Sequence, residues 1–291
     1  RDLTQGAVLR QLLTLTAVSL IGMAAQVLYG IIDFYFVGRV GPAAQAAVAV
    51  AGSLNMVVMA LTQMLVVGTS SLVAQAVGRK RADQAQQWFD QGMSLCLALS
   101  LLFVLCVLAG GDGFTRRLSS DEETSQLCAL YLRWMTPAMA LQLPMAVMGA
   151  ALRGSGNLRA GMIAQTASVL LNTLLAPLLV LGWLGFPRLG VEGAGLATFI
   201  AVTLATIGLS LYLMRARSFL KLRMQHWRPQ LQSWRSLLGL GLPAAAETTV
   251  MLCYVVFVMY VLRGFGAEQQ AGFGAGARIN NLFLLAAGAI C

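Results

Sequence analysis

Two acidic residues lie inside long apolar segments of the chain and are the first candidates for chemistry. Asp33 follows two isoleucines, and Glu247 follows three alanines. Placing a carboxylate at the centre of a bilayer costs at least ~2.5–3.5 kcal/mol. An acidic residue inside a membrane segment is therefore expected to have a function and to face a polar interior or a water-filled cavity. Both residues are therefore candidates for binding and releasing a proton or a cation.

Each acid also has an alternative explanation. Asp33 lies five residues before Gly38, near the end of its segment, where interfacial water could solvate the carboxylate. Glu247 lies four residues after Pro243, and a proline frees a backbone carbonyl and disturbs the helix, so this carboxylate could also be solvated locally. The cost of burial favours a functional role more strongly for Asp33 than for Glu247.

Other polar residues could complete a site around Asp33. Tyr29 and Gln26 precede it by about one and two helical turns and share its helix face. Asn172 and Thr198 lie in the middle of two later apolar segments. A carboxylate with a phenol, an amide and a hydroxyl could bind a proton or a cation, but Asn172 and Thr198 could equally form only a helix–helix hydrogen bond.

A basic residue also falls inside an apolar segment. Arg278 could pair with an acid across a helix bundle, or its long side chain could reach the membrane surface. We group Glu247, Gln26 and Arg278 as a possible second coupling or substrate site.

The composition indicates that lipid surrounds most of the protein. Apolar residues make up 58% of the 291 residues and charged residues 11%, whereas a soluble domain carries about 25% charged residues. The net charge of +9 comes from basic residues between apolar segments, which indicates membrane topology rather than nucleic-acid binding. A membrane-embedded enzyme would need a cluster of catalytic groups, and a lone loop histidine with two distant acids does not supply one.

Eight apolar segments must position these residues. Seven are long enough to cross about 30 Å of hydrocarbon as helices, and the eighth nearly so. They run over 12–37, 46–73, 93–109, 127–152, 160–184, 191–214 and 237–262, and from 271 onward. The fold class predicted is an all-α integral membrane protein.

Basic residues predict the orientation of these segments. With the N-terminus in the cytoplasm, the outer loops hold only Arg39, Arg116, Arg117, Arg188 and Arg263. All other basic residues outside the segments then face the cytoplasm, as the positive-inside rule requires. We therefore expect a multi-pass protein of the bacterial inner membrane with a cytoplasmic N-terminus.

An internal repeat divides the chain. At an offset of about 225 residues Gly41 falls on Gly266, Gln45 on Gln270 and Asn55 on Asn280. Six helices separate the two copies, so both insert with the same orientation. We predict a six-helix N-terminal lobe over 1–214, a basic amphipathic cytoplasmic linker over 215–236, and the start of a second six-helix lobe over 237–291. A complete second copy would make a twelve-helix protein, and we expect the chain to be a fragment of it.

Several motifs together carry a family resemblance. They are Ile-Ile-Asp-Phe-Tyr-Phe-Val-Gly-Arg-Val-Gly at 31–41, Gly-Thr-Ser-Ser-Leu-Val-Ala-Gln-Ala-Val-Gly-Arg at 68–79, Leu-Arg-Gly-Ser-Gly-Asn-Leu-Arg at 152–159, Gly-Val-Glu-Gly-Ala-Gly-Leu-Ala-Thr at 190–198 and Leu-Gly-Leu-Pro at 240–243. In order and spacing they resemble the first, second, fourth-to-fifth, sixth and seventh helix regions of multidrug and toxic compound extrusion (MATE) transporters.

The resemblance implies two lobes around a cavity that opens alternately to each side, and export of organic, often cationic, compounds against proton or sodium influx. In the branch with an N-lobe cation site, Asp33, Tyr29 and Asn172 match the site residues, and Thr198 matches a threonine of the sixth helix. Ala176 stands where many members carry a second acid, and Val18 where many carry a proline. Another branch uses a glutamate of the seventh helix, usually further past the proline than Glu247.

We therefore predict a monomeric antiporter of organic cations or drugs, in contact with membrane lipids. It is not expected to be an enzyme, to bind nucleic acid or to need a cofactor beyond the coupling proton or sodium. No structural metal is expected, although sodium could bind transiently near Asp33. The alternative is a flippase for lipids or lipid-linked oligosaccharides of the same superfamily.

Overall fold

The computed structural model describes residues 42–118, 122–185, 187–215, 221 and 229–262. This part consists of six α-helices: α1 (Pro42–Gly78), α2 (Ala82–Leu118), α3 (Glu122–Gly154), α4 (Leu158–Leu181), α5 (Val191–Arg215) and α6 (Leu231–Leu262), with one 3-10 turn at Trp183–Gly185. The described ranges contain no strand. The predicted all-α fold class is confirmed.

The helices α1 to α6 correspond to the second to seventh predicted apolar segments. Among the described residues, five helical segments are long and apolar enough to cross a membrane: Leu54–Gly78, Ala82–Gly111, Glu122–Gly154, Arg159–Leu181 and Val191–Arg215. The first and eighth predicted segments lie outside the described residues. The chain is thus built from successive membrane-crossing helices.

Two helices begin well before the apolar segments that predicted them. Helix α2 begins at Ala82 instead of residue 93, and α6 at Leu231 instead of residue 237. The added turns carry polar residues, and hydrogen bonds tie this part of α2 to the start of α6: Gln91 Oε1 accepts from the Gln230 backbone N–H at 3.0 Å, and Trp234 Nε1 donates to Ser94 Oγ at 3.0 Å. The end of the predicted linker is therefore the first part of α6, docked on α2.

Helix α3 is the centre of the bundle. Of its membrane-length segment 67% is buried, against 33–39% for the other four. It packs against α1, α2, α4 and α5, while α6 packs against α1 and α2. Its inner face contributes Met139, Leu143, Met148 and Leu152 to the main core.

The outer faces of the other helices are apolar. Large exposed side chains on α2, α4 and α5 include Leu101, Leu105, Leu108, Ile163, Leu170, Leu174, Leu204 and Ile207. An apolar surface of this extent in water would be a liability, whereas in a membrane it contacts acyl chains. The exposed surface therefore agrees with a protein that lipid surrounds.

The α1–α2 and α3–α4 turns use the same backbone geometry. In the first, Arg81 N–H bonds to Ala76 O and Lys80 N–H to Val77 O, and Lys80 has φ 57°. The second repeats this pattern between Leu152 and Asn157, with Gly156 at φ 82°. Both are Schellman motifs, in which the residue after the C-cap adopts a left-handed conformation.

Gly156→Ala should therefore destabilise the protein by about 1 kcal/mol, because a left-handed backbone disfavours any residue with a Cβ. No other atom lies within 4 Å of the added Cβ, so the backbone angle alone sets the cost. The midpoint of thermal unfolding in detergent should fall by roughly 2–4 °C.

Gly208→Ala is the matched control, since Gly208 lies inside α5 and its added Cβ also meets nothing within 4 Å. Alanine is the better helix former, so the same measurement should show an unchanged or higher midpoint. A drop of equal size in both variants would contradict the assignment of the cost to the turn.

Candidate functional site

Two of the polar residues singled out in the sequence meet between α4 and α5. Asn172 lies in the middle of α4 and Thr198 in the second turn of α5. Asn172 Nδ2 donates a hydrogen bond to Thr198 Oγ1 at 2.8 Å, and the Thr198 hydroxyl donates to Ala194 O at 3.1 Å. The two helices thus share a polar contact inside an otherwise apolar interface.

This contact fixes which way the Asn172 amide points. The Thr198 hydroxyl donates to a backbone carbonyl, so it receives the amide NH₂ of Asn172 as an acceptor. The amide oxygen, Oδ1, then points away from Thr198. It is buried and accepts no hydrogen bond from the part of the chain that the structure describes.

An unpartnered buried carbonyl oxygen is unusual. Asn172 is 3% exposed, and leaving a buried acceptor unsatisfied costs about 1–3 kcal/mol. A native protein that tolerates such a cost often uses the atom, for example to hold an ion or to accept a proton-bearing group. The Asn172 Oδ1 atom is therefore a candidate ligand for a cation or for a protonated carboxyl group.

The surroundings of this amide are apolar. Ala176, one turn after Asn172, is buried with Leu179 and Ala197 in a small cluster between α4 and α5. No group of three or more His, Cys, Asp or Glu side chains suited to a metal occurs within the described ranges. Among the described residues the Asn172–Thr198 contact itself thus offers an amide and a hydroxyl.

Helix α5 is held close to its neighbours around this contact. A Cβ on Gly193 would lie 2.5 Å from Leu179 O of α4, and one on Gly195 would lie 2.9 Å from Tyr131 O of α3. Small residues permit such backbone approach in membrane helices. The position of Thr198 is therefore set by backbone contacts on two sides.

The side chain of Trp134 joins α3 to α5 next to the Asn172–Thr198 hydrogen bond. Trp134 Nε1 donates to Glu192 Oε1 at 2.9 Å, and the Trp134 ring lies 5.7 Å from the ring of Phe199. The Arg133 guanidinium lies 6.0 Å from the Trp134 ring centroid. These contacts flank Ala194 and Thr198 and hold this stretch of α5 in place.

The other predicted site residues are not brought to this place by the described structure. Asp33, Tyr29, Gln26 and Arg278 lie outside the described residues, so their contribution stays a prediction. Glu247 is exposed on α6, which packs against α1 and α2, whereas Asn172 lies on α4, which packs against α3 and α5. Glu247 therefore belongs to a different face of the bundle.

Sequence reasoning missed Trp134, Glu192 and the polar residues at the start of α2. In the sequence Glu192 stood out only as part of a family motif. Nothing in the sequence indicates which residue the Trp134 indole bonds to. Gln84, Gln87 and Gln91 recur at helical spacing and share one face of α2. That periodicity could have indicated a helix where apolarity alone did not.

Comparison with known proteins identifies a family for this chain. The family model named MatE matches residues 19–178, more than half of the chain. A protein named FAD transporter from Shewanella oneidensis is 25% identical over 281 residues, covering 95% of this chain and 61% of the relative. The protein named probable multidrug resistance protein YpnP from Bacillus subtilis is 25% identical over 289 residues, covering 98% and 63%.

The fold agrees with solved structures. A structure described as the outward-facing conformation of a multidrug resistance MATE family transporter of the MOP superfamily superposes with a TM-score of 0.86 at 25% identity, covering 96% of this chain and 61% of that one. The chain thus spans about three fifths of the length of the relatives it matches. The chain belongs to the MatE family and is a multi-pass membrane protein with the helical fold of the MATE transporters.

Proposed function

We propose that this chain forms part of a secondary active antiporter that exports small organic, cationic compounds against an inward flow of protons or sodium. The observation that carries the proposal is the buried, unpartnered Asn172 Oδ1 beside Thr198. Family membership supports the transport class, and the names of the relatives, a FAD transporter and a multidrug resistance protein, agree with organic cargo. Such transport needs no cofactor beyond the coupling ion and makes the protein a carrier rather than an enzyme.

In the proposed cycle the coupling ion binds between the first apolar segment of the sequence, which carries Asp33 and Tyr29, and the helices α4 and α5, which carry Asn172 and Thr198. Asp33 supplies the charge, and Tyr29, Asn172 and Thr198 supply neutral oxygens. The ion-bound and ion-free states favour different arrangements of two lobes around a central cavity, and the cargo binds one arrangement better. The coupling cannot exceed the difference in affinity of each ligand for the two arrangements.

The charge distribution supports an N-terminus in the cytoplasm. Gly154 at the end of α3 packs against Ser70 near the end of α1, since an added Cβ would lie 2.6 Å from Ser70 O. The basic turn after α1 and the basic turn after α3 therefore lie at one end of the bundle. Under the positive-inside rule that end faces the cytoplasm of a bacterial inner membrane. Residues 1–214, 215–236 and 237–291 would be an N-lobe, a linker and the start of a second lobe.

The proposal is tested by purified protein in proteoliposomes that carry a fluorescent organic cation. We expect the dye to move against its own gradient when a proton or a sodium gradient is imposed, and to stop when an ionophore collapses that gradient. Whether the proton gradient or the sodium gradient drives dye transport identifies the coupling ion. Dye movement that only follows the dye gradient would indicate a channel. Lipid scrambling without any dye transport would indicate the flippase.

A further inference from the structure

A cavity lies between the end of α1 and the start of α2, next to the turn that joins them. It has a volume of about 280 Å³. Leu72 of α1 and Trp88 of α2 form its apolar part, and Arg79 and Arg81 of the turn form its basic part. Gln75, Gln84 and Gln87 add polar groups that can donate hydrogen bonds. One side of the cavity is thus apolar and the other is cationic.

The positive charge in this cavity is not neutralised by the described part of the protein. Among the described residues that line the cavity there is no carboxylate. The acid nearest in sequence, Asp83, is exposed and does not line it. Two adjacent guanidinium groups without an acid attract an anion, and guanidinium geometry matches a phosphate well.

The backbone holds the two arginines in place. The Schellman motif fixes Lys80 in a left-handed conformation and ties Arg81 N–H to Ala76 O at 3.0 Å. Gln87 is positioned as well, because its Nε2 donates to Gln230 Oε1 at 3.1 Å. The backbone of the turn that carries both arginines is therefore fixed, and one of the lining glutamines is held by a contact outside the turn.

The cavity lies where the helices leave the membrane. The membrane-length segment of α1 ends at Gly78 and that of α2 begins at Ala82. Leu72 and Trp88 therefore lie at the depth of the acyl chains and headgroups, while Arg79 and Arg81 lie at the aqueous edge. Tryptophan is typical of this boundary, and basic pockets between helices on the cytoplasmic side bind anionic headgroups.

We propose that this cavity is a binding site for an anionic phospholipid of the inner leaflet. Arg79 and Arg81 contact the phosphate, and Gln84 and Gln87 bond to the glycerol or headgroup hydroxyls. Leu72 and Trp88 contact the first methylenes of the acyl chains. This site is separate from the Asn172–Thr198 contact and from the proposed transport cycle, so lipid binding can be measured whether or not transport is observed.

The test compares lipid retention by the purified protein in mixed micelles, using native mass spectrometry. Phosphatidylglycerol should be retained about 10- to 30-fold more strongly than phosphatidylcholine, because two arginines at a membrane surface each contribute to the attraction of a negative headgroup. The double variant Arg79→Gln/Arg81→Gln should lose this preference. Gln84→Trp, which fills the cavity and keeps both charges, should lose it too.

The control is Arg159→Gln/Arg235→Gln, which removes two exposed arginines that do not line the cavity. The preference should survive in this control. Equal loss in the control would show general surface attraction, and unchanged retention in both cavity variants would place the lipid elsewhere. Inorganic phosphate is added in a final arm: if it removes all bound phosphatidylglycerol and stabilises the protein as well as the lipid does, the site takes soluble phosphate and the lipid proposal is overturned.

Discussion

Gly241→Val should prevent α6 from docking on α1 and should lower the thermal unfolding midpoint by roughly 6–12 °C or abolish the folded monomer. A Cβ at Gly241 would fall on the backbone carbonyl of Met64. Gly68 of α1 makes the reciprocal contact, where a Cβ would lie 2.6 Å from Leu237 O. Overpacking a core typically costs about 1–3 kcal/mol. The cost at Gly241 should lie at the upper end of that range, because the added side chain meets helix backbone, which cannot rotate away as a side chain can.

Gly239→Val is the matched control for this variant. Gly239 lies on the same helix two residues earlier, and an added Cβ there meets nothing within 4 Å. The change of residue type, and any effect of valine on helix propensity, is the same in both variants. We expect Gly239→Val to change the midpoint by no more than about 2 °C, which corresponds to about 0.5 kcal/mol. A similar loss in both variants would show that valine disturbs α6 itself rather than its contact with α1.

The sequence predicts the membrane helices well because apolar composition is a direct signal for them. It fails at helix ends that are polar and yet pack inside the protein. The first turns of α2 contain Gln86, Asp90 and Gln91, and the last two are buried. An apolar scan assigns such residues to a loop, because only the folded structure supplies Lys221 and Gln230 as their hydrogen-bond partners.

Close helix packing is also beyond sequence reasoning. Gly241 stands in a recognised motif, Leu-Gly-Leu-Pro at 240–243, which indicated where a helix begins. It did not indicate that this glycine faces Met64, some 180 residues earlier in the chain, while Gly239 faces open space. Which residues of α6 face α1, and which residues of α1 they contact, depends on the orientation of α6 about its own axis. That orientation is set by the whole interface.

The candidate site was partly predictable. Mid-segment polarity and family resemblance selected Asn172 and Thr198, and the structure brings the two together. From the residues alone, Asn172 and Thr198 could belong to an ion site or could form only a helix–helix hydrogen bond. The structure contains the hydrogen bond, and it also leaves Asn172 Oδ1 buried without a partner among the described residues. The direction of an amide depends on which atoms surround it, so no sequence pattern could have given this.

Asn172→Leu should weaken binding of the coupling ion by about 10- to 100-fold, because it removes a buried oxygen worth about 1–3 kcal/mol to a partner while keeping the side-chain volume. The measurement is the concentration of the driving ion that gives half-maximal dye transport in proteoliposomes. Asp33→Asn, which removes the proposed charge, should abolish gradient-driven transport in a protein that still folds.

Thr206→Val is the control for Asn172→Leu. Thr206 lies two turns after Thr198 on α5, and among the described residues its hydroxyl bonds only to Val202 O of its own helix, at 2.7 Å. Its loss should leave the half-maximal ion concentration unchanged. Removing an interhelical hydrogen bond costs only about 0.6 kcal/mol on average in membranes, so a purely structural Asn172 would alter stability slightly and ion dependence not at all. An Asn172→Leu protein with an unchanged ion dependence would thus reduce Asn172 to a packing contact, and the coupling site would have to be sought elsewhere, with Glu247 as the next candidate.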